Sequence, residues 1–187
     1  KRISSFDALY NQFVMDNFNR IYVVRDRSLV KNFRMEVDST FDSSDNPYFE
    51  DYIRYKFAGL EQLARIKSKQ TIAKEYFQDN PILYKNLEYT FFFADYFGQI
   101  LLTSPSLITV SDLILAVNFN NDLQAIDSAL LKTGYLDDQR LRELVLLLNL
   151  RDFYGHGSFY QDKVLNMIDQ LGNQSRYDKH QMIAKNL

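Results

Sequence analysis

The sequence predicts an all-α fold, and three observations carry that prediction. Apolar side chains recur at helical spacing through most of the chain. Gly (6) and Pro (3) are scarce, and they fall where helices begin or end. The two β-prone stretches, residues 21–24 and 107–110, are short and isolated. A lone short strand has no pairing partner, so both are expected to be helical or extended linker. The pattern gives about eight helices, several in antiparallel pairs, forming an irregular bundle or short solenoid. No period near 34 residues recurs, which argues against a regular tetratricopeptide array. At 187 residues the chain is one helical domain, with N-terminal helices over about 1–100 and C-terminal helices over 101–187.

Each element has its own signals. Ser4 and Asp7 resemble a capping box ahead of the stripe Phe6, Leu9, Tyr10, Phe13 and Val14. Leu29, Val30, Phe33, Val37 and Phe41 mark a second helix, and residues 42–46 are a polar break. Asn46-Pro47 opens a third, because Asn caps and Pro suits a first turn whose amide is unpaired anyway. Its face is Phe49, Tyr52, Ile53, Phe57, Leu60 and Leu63. Asn80-Pro81 repeats that signal, predicting a helix with Leu83, Leu87, Phe91, Ala94 and Gly98 on one side and aromatic flanks. Gly98 costs about 1 kcal/mol against Ala in a helix and is read as a point of close approach by a neighbouring helix.

Farther on, Thr109 with Asp112 predicts another cap, Asn120-Asn121 a break, and Gly134 a left-handed helix stop. Asp137 or Asp138 then caps a helix through Tyr154. Its residues 141–148 are apolar on most sides, which places it at the centre. Ser158 with Gln161 caps the helix carrying Tyr160, Val164, Met167, Ile168 and Leu171, which Gly172 ends. Ser175 with Asp178 opens a last helix bearing Met182, Ile183 and Leu187.

Composition narrows function. A net charge of −2 with no basic stripe leaves a phosphate-tracking nucleic-acid binder without its driving force. The longest apolar run, residues 144–148, is far below the roughly 20 residues of a membrane span. The absence of Cys excludes thiol catalysis, disulfides and Cys-ligated zinc within these residues. Lys1 opens the chain without a Met or a signal-type segment, so the sequence reads as a fragment of a longer protein.

Few residues carry candidate chemistry. His156, in Gly155-His156-Gly157-Ser158, combines an imidazole and a hydroxyl in a loop. Helix-stop and cap requirements already account for those residue types, and the strand–turn–helix setting of a hydrolase elbow is missing. His156 and His180 have no metal-ligand spacing. Residues 42–46 superficially resemble a calcium loop but lack its glycine and acidic spacing. Glu88 and Asp95, with Gln99 beyond, lie on one helix face; paired carboxylates can act as acid and base, though such a face is more often solvated. Asn173-Gln174-Ser175 matches a glycosylation acceptor, yet capping explains the serine. Tyr84, Tyr89 and Tyr96 lie in an aromatic cluster that reads as core, with a groove for a peptide or sugar as the alternative. No catalytic, metal or cofactor-binding residue is assigned.

The segment 140–154 (Arg-Leu-Arg-Glu-Leu-Val-Leu-Leu-Leu-Asn-Leu-Arg-Asp-Phe-Tyr), the segment 164–171 and the closing His180-Gln181-Met182-Ile183-Ala184-Lys185-Asn186-Leu187 together carry a family likeness. They resemble the helical region that precedes the thioredoxin-like domain in exported bacteroidete thiol–disulfide oxidoreductases of the TlpA-like family. The likeness covers about residues 101–187. It implies a periplasmic or lipid-anchored envelope protein whose redox domain comes after Leu187. It also implies a partner in that domain of the same chain, or in another envelope protein. The chain departs from the whole family in having no Cys-x-x-Cys, so no catalytic residue carries over. The expectation is a non-catalytic helical accessory domain that spaces or orients a redox domain or holds a partner. The alternatives are a self-contained peptide- or glycan-binding module and, more remotely, a carboxylate enzyme.

Overall fold

The computed structural model describes residues 1–41 and 46–187; the stretch resembling a calcium loop lies almost entirely outside them. The structure is 74% helix, and the described residues include no strand and hold ten helices rather than eight. They divide into two compact units, Lys1–Phe92 and Phe93–Leu187.

In the first unit, α1 is an α-helix Arg2–Asn19 continued directly by a π-helix Arg20–Val24. It starts without a side-chain cap, so the Ser4 box is not used. Asp26 caps α2 (Arg27–Thr40), and Asn46 caps α3 (Pro47–Leu63) with Pro in its first turn. Ser68 caps α4 (Lys69–Tyr76). One core joins α1, α2 and α3 through aromatic rings. Phe13 stacks on Phe33 at 3.7 Å, and Phe6 meets Phe41, Phe49 and Tyr52 edge-on at 5.8–6.3 Å. Offset and edge contacts of this kind add to area burial because ring edges and faces carry opposite partial charge. A second cluster joins α3 and α4 to the next helix: Tyr55 packs against Tyr89 at 4.8 Å and Phe77 against Phe92 at 5.3 Å.

Helix α5 (Leu87–Phe97) begins later than Asn80-Pro81 suggested. Asn86 is the cap, its Oδ1 accepting from the Tyr89 amide at 3.1 Å, while Asn80 folds back on Glu75 and Gln78 carbonyls. The buried face also differs from the expected one. Leu87 and Phe91 are exposed, whereas Tyr89, Phe92, Phe93, Tyr96 and Phe97 are core. Those five sit at i, i+3, i+4, i+7 and i+8, the spacing of a single wide helical stripe. Gly98 is crowded by its own chain: a Cβ there would collide with the Ala94 carbonyl, while the neighbouring Asp152 lies at an ordinary 3.6 Å.

The second unit continues with a single turn Ile100–Thr103, then α6, an α-helix Val110–Ile114 running into a π-helix Leu115–Asn120. Next come α7 (Leu123–Leu131), α8 (Gln139–Tyr154), α9 (Gln161–Gln174) and α10 (Asp178–Lys185). Thr109, Asp122 and Asp138 supply side-chain caps, and Gly134 takes the left-handed conformation at φ 72°. Helix α8 is central as its composition demands: every residue from 141 to 150 is buried, Arg142, Glu143 and Asn149 among them.

Several sequence expectations fail here: Ser175 does not cap α10, and Tyr160 of the expected α9 face is exposed. Ser158 does not cap α9; the Tyr160 amide is satisfied by Asn118 Oδ1 at 2.9 Å. Gly172 does not end α9 but lies buried in its last turn, where its missing side chain admits Ala184 of α10. Helix α10 buries His180 and Ala184, leaving Met182 and Leu187 exposed. A Cβ at residue 172 would stand 2.6 Å from the Ala184 Cβ, so one helix must move to admit it. Gly172→Ala is expected to destabilise by about 1–3 kcal/mol in chemical denaturation, the usual cost of overpacking. Propensity alone would make the substitution stabilising.

One turn occurs twice. In each unit a π-helix ends in a left-handed residue, Arg25 (φ 58°) or Asn121 (φ 50°). An aspartate comes next, and its amide reaches back six residues to the Arg20 or Ala116 carbonyl. Its carboxylate caps the next helix, with Asp26 accepting from Leu29 and Asp122 from Ala125. Asp26 is held down to about 2 by its bonds to Ser28, Arg20 and the Leu29 amide.

Candidate functional site

The residues singled out from sequence lie in different surroundings. Tyr89 and Tyr96 are 2% and 5% exposed, with their rings packed in core clusters, and Tyr84 is half-buried. Two of the three are thus unavailable as walls of a groove. His156 is exposed, its Nδ1 accepting from the Ser158 amide at 3.3 Å and its ring lying 5.5 Å from Phe159. That is a self-contained turn. Glu88 is not solvated: it is 9% exposed and pairs with Lys56 at 3.0 Å. It belongs to the first unit and Asp95 to the second.

A dense gathering of polar side chains lies instead in the second unit, on α8. Consecutive residues Arg142 and Glu143 serve opposite partners. Arg142 Nε donates to Asp127 of α7 at 2.7 Å, and its Nη1 donates to the Leu136 and Asp137 carbonyls at 2.8 and 3.1 Å. Glu143 accepts at one oxygen from both Ser175 Oγ and His180 Nδ1, the latter at 2.8 Å. The Ser175 oxygen in turn accepts from the Tyr177 amide at 3.1 Å. A cleft of about 310 Å³ opens beside them, with Gln124, Gln139 and Gln174 on its walls.

A Ser, a His and a Glu in contact invite comparison with a hydrolytic triad, and the order of bonds rules it out. In a triad the imidazole stands between hydroxyl and carboxylate. Here the carboxylate stands between hydroxyl and imidazole, so Ser175 has no base and hands its proton bond to Glu143. A carboxylate only accepts, which fixes the Nδ1 proton on His180. The cluster is a cross-helix clamp: one buried carboxylate joins α8 to the loop before α10 and to α10 itself. Tyr177 covers it, its ring 5.1 Å from His180, with Arg140 and Arg176 at 5.7 and 5.2 Å on Tyr177.

Burial makes the clamp sensitive to pH. His180 is fully buried, and burial, the largest influence, pushes its pKa below the ordinary 6.5. The Glu143 contact works in the opposite direction, and Arg140 and Asp138 act more weakly. With the folded value below the unfolded one, the unfolded chain takes up the proton first. Stability is therefore complete above about pH 6.5 and declines as pH falls beneath it. Urea midpoints are expected to drop between pH 7 and 5.5 in the wild type, and His180→Gln is expected to flatten that interval. A wild-type midpoint constant across the interval contradicts the assignment.

A second polar junction lies farther along α8. Asn149 Nδ2 donates to the Phe97 and Val145 carbonyls at 3.1 and 2.9 Å, and its Oδ1 accepts from the Leu101 amide at 3.3 Å. Asp152 accepts from the Gln99 amide at 3.2 Å. Together these side chains cap the break between α5 and the turn Ile100–Thr103, where helix-end groups need partners. Neither junction is evident in the sequence. The one available signal is the presence of polar residues at 142, 143 and 149 inside an otherwise apolar helix, where a buried polar group requires a partner.

Among the described residues no three His, Asp or Glu side chains gather as a metal ion would require, and no helix is long and apolar enough to cross a membrane. The chain matches no protein-family model, and no curated protein and no solved structure is significantly similar to it.

Proposed function

We propose that this chain is a non-catalytic helical accessory domain, belonging to an exported protein of the thioredoxin-like thiol–disulfide oxidoreductase type, which holds a downstream redox domain in a fixed attitude. One observation carries the reading: the last helix is locked to the centre of its unit. His180 is bound to Glu143, and Ala184 sits against Gly172. A domain attached after Leu187 is then launched from a helix that cannot swivel, as a spacer requires. The elements forming this lock, α8 to α10, are the same ones that carry the family likeness. The most reactive-looking side chains of the unit are consumed in these contacts, which favours support over chemistry.

The reading frame beyond Leu187 tests the proposal. It is expected to encode a thioredoxin-like domain with a Cys-x-x-Cys pair. Insulin-disulfide reduction is expected to track with that domain and to be absent from residues 1–187 alone. Reductase activity in residues 1–187, or a downstream sequence without the motif, overturns the proposal.

A further inference from the structure

The first unit contains a cleft of about 440 Å³ among α2, α3 and α4. Its charge is uneven. Arg27, Lys31, Arg34 and Arg54 line it against two carboxylates, Glu61 and Glu75. Both carboxylates are already taken by Lys67, at 2.8 and 2.7 Å. The cleft lining is thus net positive, four cations against two carboxylates, in a chain whose net charge is −2.

Its cations fall into two kinds. Arg34 and Arg54 are held in place: Arg34 lies 4.7 Å over the Phe57 ring and bonds Asp38 at 3.0 Å, and Arg54 lies 5.6 Å over Tyr76 while donating to Asn80 at 3.0 Å. Arg27 and Lys31 are exposed and make no ion pair or hydrogen bond among the described residues. The floor between them is apolar, formed by Val30, Phe57 and Tyr76.

We propose that this cleft docks an acidic polypeptide segment, one in which carboxylates alternate with an apolar side chain. Geometry selects this occupant over a compact anion. Arg27, Lys31 and Arg34 sit at i, i+4 and i+7 on α2, a row about 10 Å long at 1.5 Å rise per residue. A phosphate needs donors that converge on one point, whereas these are strung out as the carboxylates of a peptide are. The apolar floor gives the segment's hydrophobic side chain a seat, and the free cations give charge complementarity that steers encounter and fixes register. This inference is separate from the accessory-domain reading and does not depend on any domain downstream of Leu187.

Fluorescence anisotropy with a labelled twelve-residue Glu-Glu-Leu repeat tests it at low salt. The chain is expected to bind saturably, with affinity falling as salt rises. The double variant R27E/K31E is expected to bind at least about tenfold more weakly. Both positions are exposed, and a carboxylate in the first turn of α2 suits the helix dipole, so the variant is expected to keep its circular dichroism spectrum. The double variant K179E/K185E changes net charge equally in the second unit and is expected to bind as the wild type does. No binding by the wild type, equal loss in both variants, or binding of inorganic phosphate or anionic vesicles without binding of the peptide overturns the proposal.

Discussion

Glu143→Ala is expected to lower the free energy of unfolding by about 3–5 kcal/mol. The magnitude comes from the two donors the lost carboxylate leaves behind. Hydrogen bonds to charged groups contribute about 1.5–3 kcal/mol each, and Glu143 accepts from two buried donors, Ser175 and His180. His180 is wholly buried and is left without a partner once the acceptor is gone, whereas Ser175 lines the cleft beside it. Glu143→Gln is expected to cost roughly half as much, because its amide oxygen can still accept both bonds but without the charge that strengthens them. Urea denaturation followed by circular dichroism measures both. A loss below about 1 kcal/mol for the alanine variant would mean that the clamp contributes no net stability. Native-state hydrogen exchange adds a local signature: α10 is expected to lose protection first, since Glu143 is what fastens it.

Asn149→Leu is expected to cost about 2–4 kcal/mol despite nearly preserving shape. Asn149 is wholly buried, and its side chain satisfies the Leu101 amide and the Phe97 carbonyl across the break after α5. Leucine fills the same space and strands both. Its bond to Val145 matters less, because that carbonyl lies within the helix. The amide of Leu101 is expected to exchange measurably faster in the variant. Unchanged exchange there would falsify the capping role, whatever the global stability does.

Legibility varies with the kind of physics involved. Helices whose stripes rest on burial alone are readable. The faces of α3 and α9 follow their spacing at Phe49, Tyr52, Ile53, Phe57 and Leu60, and at Val164, Met167, Ile168 and Leu171, while Leu63 is only half-buried and Tyr160 is exposed. Caps next to a helix start are readable at Asn46, Thr109 and Asp138. Asn80-Pro81 misleads because the same dipeptide suits a turn, and the true cap, Asn86, precedes no proline. Helix α5 misleads because it is apolar nearly all round, so periodicity does not select between Leu87-Phe91 and the five aromatics. Ser175 and His180 lie 32 and 37 residues from Glu143 in sequence, and no local pattern announces that one carboxylate serves both. Residues of α10 are misjudged for a related reason: His180 counts as polar in any stripe, yet its partner makes it core.

The twin π-helices carry a consequence for how this chain tolerates change in length. A π segment is an α-helix accommodating one surplus residue. At 3.6 residues per turn, each residue sets the azimuth of everything after it by about 100°. Excising a single position from 20–24 or 115–120 would let the spiral relax to ordinary pitch, would break the bond from the Asp26 or Asp122 amide back to the Arg20 or Ala116 carbonyl, and would wheel the helix that follows about the one before it. Frame-preserving deletions there are therefore more harmful than point substitutions at the same sites, and the two corners act as hinges of fixed count rather than of free angle.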